Sequence, residues 1–360
     1  MSSHAVLLEP VQLDQSSPAE EQVKWLWHGY LGRRSVTVLT SLWKTGKTTL
    51  LSVLLSKMRE GGLFANLPLA ACRAAVVTEE PISLWQQRAE SVPLGRHVYF
   101  FPRPFHHLPS MAEWHGLIGS IDRLHEREGI DLAVIDPLAS FLPAGSESCR
   151  DAMMEALLSL RKLTDCGMSV LLLHHPRKGD PPIGQAARGT GALSGFADVN
   201  IEMRSLGHAA SADRRRRLVT FSRYAASRSD LVIELNAEGT DYLARGDFAD
   251  EECRGLWPTL SRILDEATTK LTRADILERW PTPDGKPHDG TLWRWLEWGV
   301  EHGQLCKDGK GRHPQPFRYW LADRDVRPGT LESLEPLGDL LPERLVRRGE
   351  EDWKAIGKRR

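Results

Sequence analysis

Between Ser41 and Thr48 the chain reads Ser-Leu-Trp-Lys-Thr-Gly-Lys-Thr, a glycine followed at once by a lysine and a hydroxyl residue. A loop that binds phosphate needs this order. Backbone amides of a tight turn point inward at anionic oxygens, and the positive end of the next helix adds to their field. Ser41, Leu42, Trp43, Lys44, Thr45, Gly46, Lys47, Thr48 and Thr49 are therefore expected to cradle the phosphates of ATP. Lys47 would reach the β- and γ-phosphates and the Thr48 hydroxyl would ligate Mg2+. The first glycine usual in such loops is replaced by Ser41, which predicts a tighter or slower turn.

Phosphoryl transfer also needs carboxylates. Ile130–Asp136 is an apolar strand ending in Asp136, the expected Walker B holder of the hydrated magnesium ion, although buried strands also end in Asp at simple turns. The next residue is Pro137, so the acid that activates water must come from elsewhere. Val76-Val-Thr-Glu79-Glu80-Pro81 supplies two, and Glu79 is expected to be the general base. Both acids could instead cap the helix after Pro81, Glu80 above all. A further strand, Met168–Leu173, ends in His174 and His175, where a polar tip can sense the γ-phosphate or stand merely exposed. Two histidines without a partner cluster do not suggest zinc.

These residues need a scaffold that brings strand ends together. Ser35–Thr40, Ala74–Thr78, Arg96–Phe101, Leu132–Ile135 and Met168–Leu173 read as strands. Lys47–Met58, Met111–Glu128 and Asp151–Leu163 read as helices between them, which predicts a parallel sheet covered on both faces. Asp198–Met203, Leu218–Ser222, Leu231–Leu235 and Thr240–Leu243 follow with short connections and predict late antiparallel hairpins. A helix at Trp257–Glu266, a second capped by Thr272 and a third from Gly290 precede Gln304–Lys307 and Phe317–Leu321. In the third, Trp293, Leu296 and Val300 fall on one face. Three helices and a hairpin make a winged-helix pattern. Its turn carries Lys307, Lys310 and Arg312, suited to DNA phosphates, though the same unit could be a protein-binding module. Arg214–Arg217 is either a solvated turn or a nucleic-acid contact. The expected organisation is a loose arm over 1–23, an ATPase domain over 24–247, a winged-helix-like domain over 252–323 and a charged tail over 324–360.

The 360 residues are 41% hydrophobic and 26% charged with a net charge of −1, so any DNA contact must come from local patches. The five cysteines form no CxxC pair, and no apolar run is long enough for a bilayer. A reduced, cytoplasmic chain with no membrane partner is expected.

Together, Trp25-Leu-Trp27, Lys44-Thr-Gly-Lys-Thr48, Thr78-Glu-Glu-Pro81, Val134-Ile-Asp-Pro-Leu-Ala139, Leu173-His-His175 with Lys178, and Ala187-Arg-Gly-Thr-Gly-Ala192 make the chain resemble the RecA-fold ATPases related to RepA-type hexameric helicases, a group also called AAA family ATPases. The resemblance covers about residues 24–245. It implies a RecA-like α/β fold, with Glu79 as base, Asp136 as Walker B acid and His174 or His175 as sensor. It makes the Arg188-Gly-Thr-Gly stretch a loop near a central channel. Such ATPases form rings in which a neighbour donates an arginine, and here Arg223 and Arg228 are the candidates, unless they are solvated. The function implied is an oligomeric ATPase, with six the expected number of subunits in the ring, that moves on single-stranded DNA in replication or in a mobile element. A non-motor switch or loader on DNA, or a DNA-binding regulator with structural ATP, stays open beside it.

Overall fold

The computed structural model describes residues 23–146, 149–176, 182–185, 191–206, 213–281 and 286–325. The chain forms two compact units, Met1–Gly255 and Leu256–Arg360.

In the first unit the elements run β1 (Trp25–Trp27), β2 (Leu31–Gly32), β3 (Val36–Thr40), α1 (Lys47–Lys57), β4 (Gly62–Phe64), β5 (Leu67–Leu69), β6 (Ala74–Thr78), α2 (Ile82–Ser91), β7 (Val98–Pro102), α3 (Met111–Glu128) and β8 (Leu132–Asp136). A 3-10 turn at Leu138–Ser140 precedes α4 (Arg150–Ser159), α5 (Arg161–Asp165), β9 (Ser169–His174), α6 (Ala192–Phe196), β10 (Val199–Ser205), β11 (Arg215–Ser222), β12 (Asp230–Leu235) and β13 (Tyr242–Gly246). A nine-stranded sheet has the order β13-β12-β11-β10-β3-β9-β8-β6-β7. From β10 to β7 every pairing is parallel, and β10 to β13 pair antiparallel. The mainly parallel α/β sheet with late antiparallel strands agrees with the expected architecture.

The parallel strands β3, β6 and β8 are buried along their whole length because both faces are covered. Leu39, Val76, Val134, Leu171 and Ile201 face one core, with Leu50, Leu51, Leu54 and Leu55 of α1. Val38, Val77, Ile135 and Leu172 face the other, with α3 to α6. Each fully buried leucine contributes about 2 kcal/mol through apolar area removed from water. α3 starts at a capping box between Ser110 and Glu113 and stops at Gly129 in the left-handed region. Its Trp114 is buried and donates to the Ala156 carbonyl at 3.0 Å and to Ser159 Oγ at 2.7 Å, which binds α3 to α4.

A four-stranded sheet, β2-β1-β5-β4, was not foreseen, and it packs Leu26, Trp27, Phe64 and Leu69 into the α1 core. The helix expected at Asp151–Leu163 is broken into α4 and α5 at Leu160. Arg177, Lys178 and the stretch 187–190 lie outside the described residues, as do the arm up to residue 22 and the tail from residue 326.

The chain passes between units within α7 (Phe248–Asp265), which starts upstream of the expected Trp257 and carries Pro258 inside it. The second unit continues with α8 (Arg273–Glu278), α9 (Asp289–Glu301), β14 (Leu305–Asp308), β15 (Arg318–Leu321) and α10 (Ala322–Asp325). Thr272 caps α8 in a capping box with Asp275. β14 and β15 pair antiparallel. α9 buries Leu292, Trp295, Leu296 and Gly299, and Trp293 is 45% exposed. The buried stripe is thus rotated from the Trp293–Leu296–Val300 line, because Gly299 lets Leu305 approach closely. Among the described residues no helix is long and apolar enough to cross a membrane.

Candidate active site

Parallel sheets place their loops at the carboxyl ends of the strands, and ligands bind in the crevice there. The register aligns four such ends: Thr40 stands opposite His174 on β9, and Thr78 stands opposite Asp136 on β8. A cleft of about 330 Å³ opens above them, lined by Lys44, Thr45, Gly46, Lys47, Thr48, Thr49, Glu79, Glu80, Asp136 and His175. The structure therefore brings the loop, three acids and one histidine together. Leu42 and Trp43 point outward, Trp43 being 76% exposed with its ring 5.4 Å from that of His175.

Lys47 opens α1 with its side chain almost fully buried. Its Nζ donates to the Ser41 carbonyl at 2.9 Å, Ser41 Oγ at 3.0 Å, the Leu42 carbonyl at 3.3 Å and His175 Nδ1 at 3.0 Å. Burial pushes the lysine down to about 8, opposed by the charge of Asp136. Burial and then the Lys47 charge push His175 below its ordinary value, which keeps its ring neutral and Nδ1 free to accept. His174 ends β9, and its carbonyl accepts from the Ser41 amide at 3.3 Å.

The turn at Ser41, expected to be tighter or slower, does not put Ser41 in the left-handed region. The left-handed positions of the loop are Lys44 (φ 59) and Gly46 (φ 97), and Ser41 keeps ordinary backbone. Its hydroxyl donates to the Leu42 carbonyl at 3.2 Å while accepting from Lys47.

Asp136 is 8% exposed. Burial pushes its carboxyl up to about 6, with Glu80 adding to the rise and Lys47 opposing it. The two glutamates differ in their partners. Arg88 of α2 grips both oxygens of Glu80, with Nη2 on Oε1 at 2.7 Å. Glu79 is exposed to the cleft, and its Oε2 accepts from the Ser140 hydroxyl. Its backbone is fixed at both ends, since its amide donates to the Asp136 carbonyl at 3.3 Å and its carbonyl accepts from Arg103 Nε at 2.9 Å. Trp85 Nε1 donates to Thr78 Oγ1 at 3.2 Å, tying α2 to the strand tip beneath them.

Ser140, Arg103 and Trp85 were not read from the sequence. Only Ser140, a hydroxyl four residues past Asp136, gave a signal that spacing could have caught.

Arg223 and Arg228 lie apart from the cleft. β11 runs antiparallel to β10, so Ser222 stands opposite Val199, and Val199 opposite Thr37 near the start of β3. Arg223 Nη1 pairs with Asp198 Oδ1 at 3.3 Å, and Asp198 Oδ2 accepts from the Val36 amide at 2.9 Å. Arg228 falls beside Gly29 and Tyr30, at the same amino edge. The run Arg214–Arg217 is at the opposite, cleft edge and is largely engaged within the fold. Arg215 pairs with Asp213 and Glu251, Arg216 bonds the phosphate loop, and Arg217 pairs with Asp230.

In the second unit Lys307 Nζ pairs with Glu297 Oε2 at 2.7 Å and Oε1 at 3.0 Å, so its charge is spent within the unit. Lys310 and Arg312 are exposed.

The donor set suits a magnesium nucleotide. Asp136 at the tip of β8 and Thr48 in the first turn of α1 offer hard oxygen ligands, and Lys47 with the start of α1 offers positive charge. An anion beside Lys47 and a cation beside Asp136 would restore the charge that burial disfavours in each. A model of the family described as the AAA domain matches residues 2–181, a span that includes the loop, both acidic strand tips and the histidine pair. No curated protein matches the chain.

Proposed function

The chain belongs to the AAA domain family, an ATPase-type P-loop domain, and on that premise we propose that it hydrolyses ATP with Mg2+ as an oligomer acting on DNA. The observation that carries this reading is the convergence of Lys47, Asp136 and Glu79 in one cleft above adjacent strand ends. The magnesium nucleotide would supply the electrophilic phosphorus and its leaving group. Thr48 and Asp136 would hold the metal ion. Lys47 Nζ would exchange its contacts with Ser41 and Leu42 for phosphate oxygens. Glu79 would take the proton of the attacking water at its carboxylate, while Glu80 stays on Arg88. Because His175 bonds Lys47, it would register that exchange and act as the sensor.

The finer reading is a RecA-like ATPase of the RepA-type helicase group, forming a ring with six as the expected subunit count. In this reading the second unit is a winged helix that meets DNA through Lys310 and Arg312. The Lys307–Glu297 pair removes part of the basic surface and supports a second reading, a non-motor ATP switch or loader. The deciding experiment measures ATP turnover with and without single-stranded DNA, together with mass in solution with ATP. Stimulated turnover by an assembled ring is expected. Turnover that ignores DNA would favour the switch, and a chain without turnover would remove the enzyme reading.

A further inference from the structure

The phosphate loop is also held from outside the cleft. Leu218 of β11 faces α1 and packs among Leu50, Leu51 and Leu54. Two residues earlier Arg216 shares that face and reaches the start of the helix. Its Nε donates to the Thr45 carbonyl at 2.6 Å, and its Nη1 donates to the Asp213 and Arg215 carbonyls at 2.8 and 2.7 Å. The strand carrying it is itself fastened, by Arg215 to Asp213 and Glu251.

We propose that Arg216 is a positioning residue for phosphate binding and acts through the Thr45–Gly46 peptide; this rests on the nucleotide reading of the cleft. The peptide is trans, so its carbonyl and its N–H point in opposite directions. Holding the Thr45 carbonyl outward on Arg216 turns the Gly46 N–H inward, toward the cleft that both residues line. Gly46 sits at φ 97, a region where glycine has many alternatives, and the arginine bond selects one. A charged donor on the carbonyl also polarises the amide and strengthens its N–H toward an anion. The antiparallel part of the sheet thereby enters the phosphate site without a side chain in the cleft.

The test uses the full chain with Arg216→Ala, Arg216→Lys and, as a control on the same strand, Arg217→Ala. Calorimetry reads the affinity for Mg-ADP and for inorganic tripolyphosphate, and NMR reads the Gly46 amide of the free protein. Arg216→Ala is expected to weaken both probes about tenfold, roughly the worth of one charge-assisted hydrogen bond. The Gly46 amide proton should move upfield, Arg216→Lys should recover part of the affinity, and Arg217→Ala should bind as the wild type does. If Arg216→Ala does not fold, the same two affinities of Arg216→Lys decide, with a smaller matched loss expected. Loss of Mg-ADP affinity with tripolyphosphate unchanged would place Arg216 on the nucleoside end and overturn the proposal, as would no loss for either probe. A wild-type chain that binds neither probe would overturn the nucleotide reading itself.

Discussion

Lys47 and Asp136 are ions taken out of water, and each titrates far from its ordinary value, at about 8 and about 6. The signs differ. The Asp136 carboxyl is raised, so its share of stability is intact below its unfolded value of 3.8 and is lost as pH rises through about 6. The Lys47 ammonium is lowered, so it burdens the fold below about 8 and ceases to as pH climbs toward its unfolded 10.5. Near neutrality both ions burden the fold. Affinity for Mg-ADP should therefore be bell-shaped in calorimetry, weakening above about 8 as Lys47 loses its proton and below about 6 as Asp136 gains one. Asp136→Asn should flatten the fall of melting temperature between 3.8 and about 6, and parallel melting curves would show that Asp136 is not the titrating group. The neighbouring glutamates carry a second prediction. Glu79→Gln should still bind ATP but slow single-turnover hydrolysis by about 10²–10⁴, while Glu80→Gln keeps turnover, since Arg88 already occupies Glu80. The reverse order would make Glu80 the base.

At the scale of elements, legibility followed length. β3, β6, β8 and β9 are mainly apolar strands of five or six residues, and α3 carries both its stop and start signals, so these were readable. β1, β2, β4 and β5 are two or three residues each, too short to show any period. α7 begins upstream of Trp257, with Asp250 and Glu251 in its first turn, and it carries Pro258 inside it, a residue that favours first turns over helix interiors. The phosphate loop and the acids were legible as local motifs. The partners that set their roles were not, because Arg216 meets Thr45 across 171 residues and Ser140 meets Glu79 across 61. Such contacts depend on which strands become neighbours, and no local spacing encodes that.

For the whole molecule, the cleft lining holds lysines and, among the described residues, no arginine. Arg223 and Arg228 stand at the other edge of the sheet, so they could serve a cleft only in another subunit. An arginine supplied across a boundary is worth about 10³–10⁵ in rate. Mixing an Arg223→Ala, Arg228→Ala chain with a Lys47→Ala chain should therefore restore hydrolysis that neither shows alone. Full turnover by a monomer would remove the ring. The aligned strand ends also bear on how such a chain can change length over generations. Thr78 faces Asp136, and Thr40 faces His174, through the ladder rather than through the connections between them. Residues added to the links at 92–97 or 104–109 leave those rungs where they are. One residue added inside β6 or β8 turns its acid to the opposite face. Descendants of this sequence can grow between their strands, and the interior of each strand keeps its count.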